Sequence, residues 1–188
     1  MKDTLRKGIG ITVYATLISF VLFYHTSQNI ISYADSNIPS ADAKTAISLV
    51  NNLRVERNLE PLKWNSRLAN AASDKATDLI GNGYFDHISP TGKTPWEFIL
   101  KDGYNYKFAG ENLAIDFSNV TDATVAWKNS PSHYANIVSG KYSEFGFAEI
   151  TGEIDGKQSK IYVEMFGSEM SSYDRAFAST KGGSNVIQ

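Results

Sequence analysis

The chain has 188 residues, 42% of them hydrophobic and 20% charged. That suits one globular domain with additional segments and excludes global disorder. Eighteen Lys and Arg stand against 20 Asp and Glu, a net charge of -2, so no basic excess exists to neutralise a phosphate backbone and nucleic acid is not an expected partner. Cysteine is absent, which excludes a disulfide framework, thiolate zinc sites, Fe–S clusters and Cys nucleophiles.

Lys2, Arg6 and Lys7 precede an uncharged run, Gly8 to Tyr24, and the next formal charge is Asp35. A basic start followed by an apolar stretch reads as an export signal, and Ser32-Tyr33-Ala34 offers a small-x-small cleavage triplet. The run is also just long enough to span a bilayer. Residues 1–34 are therefore either a cleaved signal peptide or an uncleaved signal-anchor helix that contacts the membrane through residues 8–24. Both readings put the remainder outside the cytoplasm, because the positive charges stay inside.

Residues 35–40 form a polar linker that ends in a helix start. Ser40 can cap a helix whose apolar positions Ala43, Ile47, Val50 and Leu53 recur at helical spacing, and Pro61 limits it to about Asn58. Asn65 caps a second helix with Leu68, Ala72, Ala76, Leu79 and Ile80 on its buried face, ended by Gly81-Asn82-Gly83. Residues 84–93 are a loop. Thr94-Pro95-Trp96-Glu97 is a capping box with Pro at the first helical position, so a short helix runs to about Asp102, with Gly103 as its stop. Residues 104–116 are extended. Thr121 caps a helix to about Asn129, and Ser130-Pro131 starts another short one. Residues 144–151 alternate as a strand, Asp155-Gly156 is a hairpin turn, and 160–166 returns as the partner strand. Residues 170–188, rich in Ser and Gly, read as a mobile tail. The plan is an α+β domain with helices packed on an antiparallel sheet.

The three histidines are His25, His87 and His133. His25 ends the apolar run and reads as interfacial. His87 lies in the turn-rich loop Tyr84-Phe85-Asp86-His87-Ile88-Ser89-Pro90. His133 lies three residues after Ser130, near a helix N-terminus, where a cation is disfavoured and a neutral imidazole is favoured. That form binds metal or accepts a proton. Taken singly, each is as readily a hydrogen-bonded loop or cap residue. Glu111, between Gly110 and Asn112, is a carboxylate entering an apolar segment. Spacing alone does not bring the three together. No H-E-x-x-H or G-x-S-x-G is present.

FDHISP (85–90), AGENLA (109–114), AWKNSPSHYANIV (126–138), FGFA (145–148) and YVEMFG (162–167) stand in an order that resembles the CAP superfamily, the SCP/PR-1/cysteine-rich secretory protein domain. The helix, Pro-Leu, aromatic and second helix of residues 49–76 resemble its first segment. The likeness covers about 41–168, and the lack of Cys and the phrase N-S-P-x-H fit a bacterial-type member. The resemblance implies a three-layer α-β-α sandwich over 41–169, with a cleft lined by two His and two acids. Carried over by motif, His87 is the first histidine, Glu111 the G-E-N acid and His133 the second histidine. The other acid, three residues after the helix Trp in many eukaryotic members, is Ser130 here, counted from Trp127, so the tetrad is incomplete.

The same resemblance implies a divalent metal, often zinc, held by His87 and His133 in an open site, with Glu111 as an imidazole orienter or a base for bound water. Family roles include lipid and sterol carriage, envelope and host-interaction duties, and disputed proteolysis. The leading expectation is an extracytoplasmic binding module that holds a cell-envelope or extracellular ligand, such as a lipid or wall component, with His87, Glu111, Ser130 and His133 in the cleft. The alternatives are a metal-assisted hydrolase of peptide or envelope substrates, with His87 and His133 as ligands, Glu111 as base and Glu111 and His133 as the catalytic candidates, and a purely structural envelope protein.

Overall fold

The computed structural model describes residues 39–180. The expected export segment (1–34), most of the linker and residues 181–188 lie outside the described residues. Among the described residues, no helix is long and apolar enough to cross a membrane.

Helix α1 (Ala41–Val55) begins where Ser40 Oγ accepts the Ala43 amide, and it ends three residues short of the expected limit. A two-residue strand, β1 (Lys63–Trp64), follows Pro61-Leu62 and was not expected from the sequence. Helix α2 (Ser66–Gly81) is capped by Asn65, whose Oδ1 accepts two backbone amides. Helix α3 (Pro95–Lys101) carries the expected capping box, and Gly103 stops it at φ 75°. Strand β2 (Tyr106–Ile115) fills the extended segment.

Helix α4 (Val120–Asn129) is capped by Asn119, whose Oδ1 accepts the Asp122 amide at 3.0 Å. This corrects the assignment of Thr121, which lies inside the first turn; an Asn two positions earlier reaches the free amides instead. Helix α5 (Pro131–Ile137), strands β3 (Glu144–Ile154) and β4 (Lys157–Glu169) and helix α6 (Ser172–Thr180) complete the order. The hairpin between β3 and β4 turns at Asp155-Gly156, both in the left-handed region, and pairs Glu144 with Gly167 through Ile154 with Lys157.

Helix α6 occupies residues 172–180 of the segment read as a tail. Ser171 and Asp174 cap each other reciprocally, the Ser171 hydroxyl accepting the Asp174 amide and the Asp174 carboxylate accepting the Ser171 amide. Ser-rich composition obscured a capping pair, which supplies local order without a hydrophobic run.

The sheet order is β1-β3-β4-β2, antiparallel except for β1, which runs parallel to β3. Alternation along β4 sends Tyr162 and Phe166 to one face and Ile161, Val163 and Met165 to the other. The first face packs α1, α4 and α5 around Val50, Trp127 and Ile137. The second packs α2 and α3 around Leu68, Leu79, Phe98 and Ile99. The protein is thus an α+β fold with helices on both faces of the sheet. Helix α2 approaches β3 so closely that a Cβ at Gly146 would collide with the Leu68 and Ala69 backbone. Strand β2 lies at the sheet edge, where elements from both helical layers converge.

Candidate functional site

The site is built on the middle of β2, where adjacent residues face opposite layers. Glu111 pairs across the ladder with Met165, and Asn112 pairs with Glu164.

Glu111 is 5% exposed, and its Oε1 lies 2.6 Å from His87 Nδ1. Burial pushes its carboxyl up, opposed by the His87 hydrogen bond and the nearby Lys75 ammonium. His87 sits in the loop after α2 with half its side chain exposed. Its imidazole is raised above the usual value, first by the hydrogen bond to Glu111. The carboxylate fixes Nδ1–H as the shared proton and leaves Nε2 without a hydrogen-bond partner among the described residues. This pairing of a histidine with a buried acid is the arrangement that orients and enriches a metal-binding or proton-accepting nitrogen.

Lys75 holds the loop. It is fully buried on the apolar stripe of α2, and its ammonium donates to Tyr84 Oη (3.0 Å), Asp86 O (2.8 Å) and His87 O (2.8 Å). All three of its protons are used. Its cationic form is disfavoured by burial and supported chiefly by Glu111. The sequence pattern carried this signal: Lys75 falls three residues after Ala72 and seven after Leu68, on the face assigned to the core. A lysine on that face needs buried acceptors.

His133 comes from the other layer, in the first turn of α5. Ser130 occupies the N-cap position, yet its hydroxyl makes no cap bond and instead lies 2.8 Å from His133 Nδ1. The His133 imidazole is held below its usual value by burial first and by the neighbouring His87 charge second. The helix end therefore does not need to be invoked.

Two asparagines join the layers. Asn136 Nδ2 donates to Glu111 O (3.0 Å) and Asn112 Oδ1 (2.9 Å), and Asn112 Nδ2 donates to His133 O (3.2 Å) and Glu164 Oε2 (2.9 Å). Every amide proton is used, so α5 is latched to β2. Trp127 Nε1 adds a bond to Leu113 O at 2.9 Å. Glu164 is completely buried, and its carboxyl is pushed up to about 8 by desolvation, so it is a neutral acid at neutral pH. Lys75, Asn112, Asn136 and Glu164 were all missed as site residues by sequence reasoning, because their partners are 9 to 52 positions away.

The structure thus brings Glu111 to His87 and Ser130 to His133, and it puts the two imidazoles close enough for one charge to lower the other's proton affinity. Among the described residues, neither imidazole's Nε2 has a hydrogen-bond partner, and no group of three or more His, Cys, Asp or Glu is placed to hold a metal ion.

Comparison with known proteins identifies the family. The family model for the cysteine-rich secretory protein family, CAP, matches residues 47–166. The chain belongs to this family. Among curated CAP relatives, the uncharacterized protein YkwD of Bacillus subtilis is 35% identical over 107 residues, covering 57% of this chain and 42% of that protein. The uncharacterized membrane protein YlbC of the same organism is 27% identical over 129 residues, covering 69% and 35%. The chain therefore spans less than half the length of either. An extracellular protein containing an SCP domain from Bacillus anthracis superposes with a TM-score of 0.59 at 28% identity, covering 68% of this chain and 40% of that one. An outer surface protein of Borrelia burgdorferi superposes with a TM-score of 0.57 at 26% identity, covering 68% and 92%. The CAP match contains His87, Glu111, Ser130 and His133.

Proposed function

We propose that the protein is an extracytoplasmic CAP-domain binding module that holds its ligand at the β2 edge through His87 and His133. The observation that carries this reading is that each imidazole is fixed through Nδ1 by a side chain, leaving Nε2 unpartnered. Two such nitrogens suit a divalent ion such as zinc, with solvent or a ligand atom filling the remaining positions of an open site. Zinc bound there would present a Lewis-acidic centre to an oxygen of an envelope or extracellular ligand, a wall component or lipid headgroup. Glu111 then acts as a positioning residue: its Oε1 is spent on His87 and its Oε2 is enclosed without a partner. The basic-apolar amino terminus supports surroundings outside the cytoplasm, as does the likeness to the extracellular Bacillus anthracis protein.

Calorimetric titration of the purified protein with zinc tests the reading. The expected result is saturable uptake that is lost in His87→Ala/His133→Ala, with the far-UV spectrum retained. No heat with the intact protein rejects metal binding.

A second reading has one observation in its favour. Ser130 Oγ lies within proton-transfer reach of His133 Nδ1, as a nucleophile and base would. No third group orients His133 through Nε2, which weakens it as a base. Hydrolysis of a peptide or ester that disappears in Ser130→Ala, with zinc uptake preserved, would favour this reading over a binding role.

A further inference from the structure

The end of the molecule formed by the C-terminus of α1 carries a second feature with no place in the histidine site. A recess of about 550 Å³ opens there, lined by Arg54, Asn58, Glu60, Lys63, Gly140 and Tyr142 among others. Arg54 forms part of its wall and is only 2% exposed.

The chemistry of Arg54 is unusual for a buried cation. Its guanidinium donates to Glu60 O (3.0 Å), Ile137 O (2.9 Å), Ser139 O (2.8 Å) and Tyr142 O (3.2 Å), all of them backbone carbonyls. A guanidinium has five N–H donors, and these bonds use four, leaving one on Nη2. Among the described residues, neither Arg54 nor Lys63 has a carboxylate partner. Burial lowers the proton affinity of the Arg54 guanidinium. Buried charges in proteins are ordinarily paired, because desolvating an ion is expensive. Carbonyl dipoles orient this one without neutralising it.

We propose that this recess is a binding site for a small oxyanion, a carboxylate or phosphate group, held by Arg54 with Lys63 at the rim. The guanidinium is fixed by four carbonyls from two stretches of chain, residue 60 and residues 137–142, so it is preorganised before any ligand arrives. Lys63, exposed on β1, supplies a second positive charge at the mouth. Glu60 opposes them: its carbonyl serves Arg54, while its exposed carboxylate at the rim repels an anion. A planar fork with a free N–H and an ammonium together suit an oxyanion better than a neutral sugar or an apolar chain. The site is independent of zinc and of the histidines.

The test is an NMR titration of the full chain, solubilised in a non-ionic detergent, with inorganic phosphate and separately with acetate. Chloride holds the ionic strength constant. The expected result is saturable shifts of the amides in 58–63 and 139–143 with at least one of the two anions. Whichever saturates at the lower concentration identifies phosphate or carboxylate as the preferred group. Lys63→Ala should weaken binding roughly threefold and Glu60→Gln should tighten it about as much, as expected for exposed charges at a rim. Arg54→Lys should abolish saturation; because that variant can also unfold, the two rim variants carry the decision. Shifts that rise linearly with both anions, that spread over lysines elsewhere, or that ignore Lys63→Ala and Glu60→Gln would overturn the proposal.

Discussion

Replacing Lys75 by methionine removes a fully buried ammonium while keeping most of the side-chain volume. Two opposing effects follow. Swapping a buried ion for an apolar isostere relieves desolvation and is often neutral when the whole polar group goes. Here the polar group does not go. Asp86 O, His87 O and the Tyr84 hydroxyl lose their donor, and buried Glu111 loses its main cationic neighbour apart from His87. Removing one charge while an opposite charge, here Glu111, stays buried costs about 3–5 kcal/mol. Glu111 keeps His87, which puts Lys75→Met at the lower end, about 3 kcal/mol. For a domain of this size that lowers Tm by roughly 6–12 °C. Thermal unfolding followed by circular dichroism measures it, and the His87 ring resonances report whether the loop has moved. A melting temperature at or above the wild-type value, with His87 resonances unchanged, would refute the reasoning: Lys75 would then be a passenger in the core rather than the support of the His87 loop.

Four other variants extend the test to the Asn112 network and to the approach of α2 on β3. Glu164 has a carboxyl raised from 4.5 to about 8, so the native state holds a proton that the unfolded chain releases; its stabilising contribution is full below pH 4.5 and is lost as pH rises through about 8. Glu164→Gln keeps the Asn112 bond and removes this titration, so chemical denaturation should find it gaining on the wild type, by on the order of 3 kcal/mol, between pH 4.5 and 7. Asn136→Ala leaves Glu111 O and Asn112 Oδ1 without their donor and should cost about 2 kcal/mol in urea denaturation, with weaker zinc uptake if α5 shifts His133. Gly146→Ala forces a methyl into the α2 backbone and should destabilise by about 3 kcal/mol or prevent folding, whereas Gly81→Ala, which meets nothing within 4 Å, should not.

The amino-acid sequence by itself determined most of the secondary structure. Capping residues and breakers act within a few positions, so Asn65, the Thr94–Glu97 box, Gly103 and Asp155-Gly156 mark element ends wherever the rest of the chain goes. The ordered motifs also pointed to the family, and through it to His87, Glu111, Ser130 and His133. Local rules were ambiguous where two residues competed for one role, as with Asn119 and Thr121, and where a serine had a better partner than its own helix, as Ser130 has in His133.

Only the tertiary structure decided which polar groups meet. Glu111 reaches His87 over 24 positions, Asn112 reaches Glu164 over 52, and Arg54 reaches the carbonyls at and after the end of α5 over 83 or more. A polar residue in an apolar stripe announces that it needs a buried partner, but periodicity carries no information about which one. That choice is made when β2 takes the sheet edge and two helical layers close on it, because a hydrogen bond between side chains forms only where packing has already brought the backbones together.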